Sequence, residues 1–387
     1  MVLVITRHPI RRASFASRPV AHRRCENEFA RTPGKPAVGH RQPGRGQRGV
    51  HHHEAVLDDT PTLHRNLGEQ MTARLTTFTN DGLTFDVVDE GPIDCIPIVL
   101  LHGWPQTAAE WSRLTPYLHE SGYRTIAPDQ RGYSPRARPP GRYAYRMSAL
   151  VGDAVALIEA LGGDPVHLVG HDWGSAVVWS TAAAHPELVR TLTSVSVPHP
   201  MAFMRTMLTT TQFFRTFYMV LFQVPWLPEL LISRVFRAVS DPAHPERLDR
   251  AVAASGMDAE QFDRIRHDIV DSGALKYSIN WYRAMLISGP RQASRLVTVP
   301  TTHVSSTRDP FMHPKNAELT ARYVRAPFAH EVLDATHWVP EERPAELAAL
   351  ITSRIAESIR ECSRRSAAGP DRVPRPRRSC GPRPPAW

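Results

Sequence analysis

The stretch Pro165-Val166-His167-Leu168-Val169-Gly170-His171-Asp172-Trp173-Gly174-Ser175 decides how the rest of the chain is read. A short apolar, β-branched run rises into a turn flanked by Gly170 and Gly174, and the Ala-rich residues after it (AVVWSTAAAHPE) suit a helix. Strand, sharp turn and helix put Asp172 at the apex. Small residues two before and two after an apex are needed where its backbone is strained and neighbouring Cβ atoms would collide. An Asp that follows a strand can also be a simple N-cap for the next helix. The paired glycines argue for a functional apex instead.

Working outward, the flanks alternate between strands and helices. Two alternating runs between Leu75 and Glu90 flank Asn80-Asp81-Gly82, a hairpin signal. Pro97 to Leu101 is a continuous apolar run of the kind buried on both faces of a parallel sheet. It ends in His102-Gly103-Trp104-Pro105. An amphipathic helix is expected over AAEWSRLTPYLHESG, then a strand in YRTIAPDQRG and a helix in RMSALVGDAVALIEALGG. After the apex helix, Leu192 to Val197 reads as another strand. From about 199 to 296 the pattern turns helical, with a very apolar segment from Phe213 to Ile232. Strands resume at Val299 to Ser305 and Ala329 to Leu333, and a helix closes the fold from Ala345 to about Ser358. This is a mostly parallel, doubly wound α/β sheet with a helical cap inserted after the sixth strand, over the strand ends where such sheets bind ligands. The expected organisation is a basic disordered extension (1–70), a core in two parts (71–198 and 297–359), the cap (199–296) and an Arg/Pro-rich disordered tail (360–387). Met71 has the look of a domain start.

The net charge of +9 does not belong to the fold. Residues 1–70 hold 12 Lys+Arg against 6 Asp+Glu, and residues 360–387 hold 8 against 2, which leaves the body at −3. A nucleic-acid footprint on the body is therefore not expected. Four scattered cysteines without C-x-x-C spacing indicate neither a zinc site nor a disulfide framework, and a cytoplasmic setting is the default. The start of the chain is too short in apolar residues for a signal-peptide core, and its Arg, Pro, Gly and His content argues against an amphipathic transit helix. The triplet His51-His52-His53 reads as part of a solvated tail. No apolar run reaches the ~18 residues of a spanning helix. Pro225, Pro228 and Glu229 interrupt the Phe213–Ile232 segment, so a cap lining an apolar pocket is expected rather than membrane insertion.

The apex motif resembles the nucleophile elbow of the α/β-hydrolase fold, in which a nucleophile, an acid and a His follow one another along the chain. His337, after the last strand, takes the His position; His330 and His313 fall within or before that strand. The loop after Val197 offers no carboxylate, so the acid is Asp309, after the next strand. Asp172 stands where such elbows usually carry Ser. A carboxylate can displace a leaving group at a saturated carbon and leave an alkyl ester, which a His-activated water can hydrolyse at the Asp carbonyl carbon. A serine would form an ether that no water here would open. The resulting oxyanion needs backbone donors, for which Trp104 and Trp173 are the candidates.

Together these residues resemble the epoxide hydrolases of that fold, over roughly residues 75 to 358. His102-Gly103-Trp104-Pro105 is similar to their oxyanion-hole loop, Gly170-His171-Asp172-Trp173-Gly174 to their elbow, and Asp129-Gln130-Arg131-Gly132-Tyr133-Ser134 to a recurring stretch. The resemblance implies two cap tyrosines that hold and protonate the epoxide oxygen. Tyr282, in Asn280-Trp281-Tyr282-Arg283, and Tyr218, in Phe217-Tyr218-Met219, carry that role over. It also implies a substrate pocket formed by His102, Pro105, Phe222, Trp281 and Trp338, no metal or cofactor, a hydrophobic epoxide and water as substrates, and a monomer or homodimer. Thr336 departs from the family, which usually has Gly before the His. A haloalkane dehalogenase shares the elbow but needs a second N–H donor for halide, for which Trp226 or Trp281 is available. A fluoroacetate-type dehalogenase would carry Arg at position 173. A non-catalytic ligand-binding member of the fold would be favoured by loss of any of these groups, and all are present.

Overall fold

The computed structural model describes residues 73–289 and 295–367. The expectations for residues 1–70, including the His51–His53 triplet, and for 368–387 lie outside the described residues.

Eight strands form one sheet in the order β1-β2-β4-β3-β5-β6-β7-β8. They are β1 (Thr77–Asn80), β2 (Leu83–Glu90), β3 (Pro97–Leu101), β4 (Arg124–Pro128), β5 (Val166–His171), β6 (Val189–Val195), β7 (Thr301–Ser306) and β8 (Phe328–Leu333). β1 and β2 pair antiparallel through the two-residue turn Asp81-Gly82, with φ of 50° and 73°. Positive φ at both central residues is what a tight hairpin twisted like its strands demands. β2 also runs antiparallel to β4, and every pairing from β4 onward is parallel.

The central strands are buried on both faces, and β3 shows why its apolar run is unbroken. Ile98 and Leu100 pack with Trp111, Leu114, Leu118 and, from the C-terminal helix, Leu347, Ile351 and Ile355. Val99 and Leu101 point the other way, into a layer with Leu150, Leu157, Val177 and Trp179. Each fully buried aliphatic chain of this kind contributes about 1.5–3 kcal/mol. The helices are α1 (Thr115–Glu120), α2 (Met147–Ala160) and α3 (Trp173–Ala184) in the first half of the core. Between β6 and β7 come α4 (Pro200–Thr209), α5 (Gln212–Arg215), α6 (Tyr218–Leu221), α7 (Leu227–Val239), α8 (Pro245–Ser255), α9 (Ala259–Ile265), α10 (Leu275–Ser278) and α11 (Asn280–Ala284). α12 (Lys315–Thr320), α13 (Val339–Glu342) and α14 (Pro344–Ala367) complete the chain.

Four expectations change. The helix expected over residues 108–122 is a 3-10 turn, Ala108–Trp111, followed by the short α1. Pro116 explains the break, because its ring disfavours a helical residue before it and removes a donor. β6 starts at Val189 and stops at Val195, where Ser196 has φ 67°. The closing helix runs on to Ala367, so residues 360–367 are helical rather than part of a tail. Finally, Cys95 is disulfide-bonded. That removes the support which cysteine usage lent to a cytoplasmic setting. Among the described residues no helix is long and apolar enough to cross a membrane.

The inserted helices are docked on the core by defined contacts. Arg113 binds Asp258 and Glu260 at 2.6 Å each, Arg264 pairs with Glu341, and the Trp338 indole donates to Ser255 O at 3.1 Å. α11 and α10 lie against the loop that follows β4. There a Cβ on Gly132 would come within 3.1 Å of Ser278 N.

Candidate active site

The apex expected from the two glycines is built as the sequence requires. Asp172 has φ 48° and ψ −117°. A non-glycine residue there stores on the order of 1–3 kcal/mol of strain. A Cβ on Gly174 would lie 1.9 Å from Leu101 O, and one on Gly170 would lie 2.4 Å from Gly174 O. Neither position accepts any other residue without moving β3 or α3. Gly103 answers a third crowding, since its Cβ would meet Asp172 Cβ at 2.5 Å.

Three loops at the same end of the sheet bring the expected residues together. Trp104 N, in the loop after β3, donates to Asp172 Oδ1 at 2.9 Å. His337 Nε2, after β8, stands 3.4 Å from Asp172 Oδ2. His337 Nδ1 donates to Asp309 Oδ2 at 2.8 Å, and Asp309 Oδ1 accepts from Phe311 N and Met312 N at 2.8 and 3.1 Å. All three side chains are buried. Trp173 opens α3, where the first backbone N–H groups have no partner within the helix.

The charges are arranged as one coupled set. Burial works to raise both carboxyls, but for Asp172 the hydrogen bond and charge of His337 outweigh it, helped by His171 and the Trp104 N–H. For Asp309 the charge and hydrogen bond of His337 and the two backbone N–H groups do the same. Both therefore sit below the usual carboxylate range. Burial opposes the charge on His337, yet Asp309 and then Asp172 raise it to about 10. An imidazole held between two carboxylates is a cation at neutral pH.

Over this triad lies a chamber of aromatic rings. Tyr282 packs edge-on against Trp104 (5.4 Å between centroids), Trp173 (5.1 Å) and Phe222 (4.9 Å), and Tyr218 lies 5.9 Å from Tyr282 and 5.8 Å from Phe311. Phe311 in turn meets the His337 ring at 4.9 Å. Burial, then the Asp172 charge, pushes the Tyr218 phenol far up. Tyr282 is pushed well up by burial, then by Tyr218 and Asp172. Both phenols therefore stay protonated.

The residues expected at the pocket are held in different ways. Phe222 packs against Trp104 at 5.2 Å, and Pro105 is buried in a turn that Gln106 N closes onto Gly103 O at 3.0 Å. His102 is withdrawn: its Nδ1 contacts Gly103 O at 2.9 Å and its Nε2 accepts from Gln130 N at 3.1 Å. Trp281 gives its indole N–H to Arg131 O at 2.7 Å and braces Trp173. Trp338 stands against His337 at 5.2 Å with its N–H on Ser255 O. Each of the three thus has a ring nitrogen held by a distant backbone group. Thr336, the departure before the His, is bound through N and Oγ1 by Glu342 at 2.8 and 2.6 Å.

Sequence reasoning missed Glu110. It is 1% exposed and bridges two working parts. Oε2 accepts from Gly103 N at 3.1 Å, and Oε1 is hydrogen-bonded to His171 Nδ1. His171 Nε2 reaches His337 O at 2.9 Å, and Ser196 Oγ donates to the same oxygen at 3.1 Å. One buried carboxylate thus ties the loop after β3, the residue before the apex and, through His171, the backbone of His337. Its only signal in the sequence is an acidic residue between Ala108 and Trp111 on an otherwise apolar turn. The Asp129–Ser134 stretch is also scaffold. Asp129 accepts from Ala108 N, Gln130 donates to His102 O, Arg131 makes two 2.7 Å bonds to Asp153, and Ser134 donates to Asp86. Among the described residues no group of three or more His, Cys, Asp or Glu could hold a metal.

The chain is similar to known proteins. The family described as alpha/beta hydrolase fold matches residues 96–344. The AB hydrolase superfamily protein YfhM of Bacillus subtilis is 33% identical across 70% of this chain and 94% of its own. Epoxide hydrolase 3 of Xenopus tropicalis is 32% identical across 72% of this chain and 77% of its own. Among solved structures, epoxide hydrolase A of Mycobacterium thermoresistibile superposes with a TM-score of 0.59 at 26% identity, over 72% of this chain and 97% of that one.

Proposed function

This chain belongs to the α/β-hydrolase fold family, in its epoxide hydrolase branch, and from that premise we propose that it opens a hydrophobic epoxide to a vicinal diol through an ester on Asp172. It is a hydrolase enzyme. The observation that carries the finer reading is the packing together, beside the elbow, of two protonated phenols, the buried Tyr282 and the half-buried Tyr218, both raised in part by the charge of an ionised Asp172. A ring-opening alkoxide is a poor leaving group without a proton, and two donors opposite a nucleophile supply it.

In the first step the Asp172 oxygen not held by Trp104 N, Oδ2, attacks a ring carbon. The C–O bond breaks, and the alkoxide takes a proton from Tyr218 or Tyr282. Attack consumes the Asp172 charge that helps hold the phenol protons in place, so the tyrosines become better acids as the alkoxide forms. The same loss of charge takes away one of the two carboxylates that keep His337 cationic. Its Nε2 proton becomes free to restore the tyrosinate, leaving a neutral imidazole. In the second step that imidazole removes a proton from water. The hydroxide adds to Asp172 Cγ, and the oxyanion sits on Trp104 N–H and Trp173 N–H. Collapse breaks the ester; the leaving alkoxide takes from His337 the proton that came from water and departs as the diol, and the Asp172 carboxyl passes its own proton to His337, which restores the carboxylate and the imidazolium. Asp309 orients the imidazole throughout.

One observation favours the haloalkane dehalogenase reading. The Trp104 indole Nε1 is buried without a partner among the described residues, so it could serve as the second halide donor. Trp281 cannot, with its N–H on Arg131 O, and Trp226 is 70% exposed. The test is diol formation from styrene oxide beside halide release from 1-bromobutane, with wild type and Asp172→Ala. Diol that vanishes in the variant, with no halide, supports the proposal; halide without diol transfers the function to dehalogenation.

A further inference from the structure

The inserted helices are apolar on the outside as well as the inside. Twelve of the twenty-one large hydrophobic residues that are exposed in the described structure lie between Met204 and Val235. Leu208 is 87% exposed, Phe214 75% and Trp226 70%. On α7 the outward row, Leu227, Leu230, Leu231, Arg234, Val235 and Ala238, has helical spacing, while Ile232 and Phe236 on the opposite side join the core. Exposed apolar surface on this scale marks an interaction site.

Charge narrows the occupant. Residues 204–239 carry four basic groups, Arg205, Arg215, Arg234 and Arg237, and a single acidic one, Glu229. Glu229 is bound to Arg283 at 2.8 and 3.0 Å. None of the four arginines is paired with a carboxylate among the described residues; Arg215 donates instead to Asp309 O and Pro310 O. The patch is therefore positive, on a body whose net charge from 71 to 359 is −3. A two-fold contact with a second copy would set Arg against Arg around the same apolar centre. The chain's first 70 residues, at 12 basic against 6 acidic, are repelled in the same way. An anionic bilayer fits both features: aromatic and aliphatic side chains enter the interfacial zone while the guanidinium groups stay at the headgroups.

We infer that α4 to α7 form a docking face for anionic membrane surfaces. Its place in the fold gives it a use. Tyr218 and Phe222 point into the chamber while Phe217, Val220 and Leu221, on the same short turns, point outward. The docking face is the back of the chamber wall, about one helix diameter, ~10 Å, from the reacting groups. An epoxide dissolved in lipid reaches Asp172 across that single layer; this role in delivery rests on the epoxide reading, and the docking does not.

The test is flotation of the full chain with vesicles of phosphatidylcholine alone or of equal parts phosphatidylcholine and phosphatidylglycerol. Binding is expected to the anionic vesicles and to fall as salt approaches 1 M, where screening reaches ~3 Å. Phe214→Glu with Trp226→Glu should weaken it by about tenfold or more, and Arg234→Glu with Arg237→Glu likewise. Both pairs should keep wild-type turnover of water-soluble styrene oxide, which shows that they fold and that the catalytic reading stands apart from the docking. Absence of binding to anionic vesicles at low salt overturns the inference. So does equal binding by the substituted chains, or a concentration-dependent dimer that the same substitutions abolish, which gives the face to a second copy.

Discussion

The two faces of the segment between β6 and β7 are written in the same apolar alphabet and do opposite things. Inward, Tyr282, Phe222 and Trp281 are 1–6% exposed, each packed ring to edge against the core. Outward, Leu208, Phe214 and Trp226 stand in solvent. Helical periodicity separates one face of a helix from the other, but it does not say which is the core side when both are apolar. What distinguishes them is what they meet: a sheet edge studded with the elbow, or nothing that the described chain supplies.

The contrast can be broken by substitutions, and the largest effect belongs to the inner site. His337→Gln should lower the hydrolytic step by about 10⁴-fold while leaving ring opening possible, so intact-protein mass should show one alkyl adduct per chain. An unmodified, inactive chain would remove Asp172 from the nucleophile's place. Behind the elbow, Trp179 is fully buried with its N–H on Val197 O at 3.2 Å. Trp179→Ala should cost about 3–5 kcal/mol in denaturant unfolding. Tyr282→Phe removes one of two donors and should lower turnover by roughly 10²-fold, within the range for general acid catalysis, with CD and melting temperature little changed.

A pH effect sharpens the same contrast. The His337 pKa is raised in the folded state to about 10, so the stability it contributes is complete below its unfolded value near 6.5 and is lost as pH rises through about 10. The depressed carboxyls, Asp172 and Asp309, contribute above their unfolded values and lose that contribution as pH falls through the folded ones. Asp309→Asn should move the alkaline loss to lower pH in a melting series; an unmoved alkaline limb would detach it from this imidazole. The smallest effect is expected outside: Leu208→Ser should change stability by no more than ~0.5 kcal/mol. A large loss there would mean that the outer face is covered within the chain.

Much of the site was legible because its constraints are local. Gly170 and Gly174 announce a crowded turn whatever surrounds them, and the crowding they answer, Leu101 O and Gly174 O, comes from backbone. Position along the chain placed Asp309 and His337 after consecutive strands, and a parallel sheet carries the ends of such strands to one edge. Long-range pairings escaped. Glu110 and His171 are 61 residues apart, and nothing in either segment names the other. His102, Trp281 and Trp338 each have a ring nitrogen claimed by a distant backbone group that their neighbours in sequence do not name. A buried polar atom must find a partner, and the partner is chosen by packing.

The sequence by itself determined the α/β alternation, the Asp at a glycine-flanked apex and the placing of Asp309 and His337 after later strands, because hydrophobic period, turn chemistry and strand order are properties of the chain alone. Only the tertiary structure decided that two tyrosines from separate helices pack together beside the elbow, that a buried Glu joins the loop after β3 to His337 through His171, and that a second apolar face is left open. Those depend on which surfaces meet at close-packed density, and side-chain contact is set by shape in three dimensions, not by spacing along one.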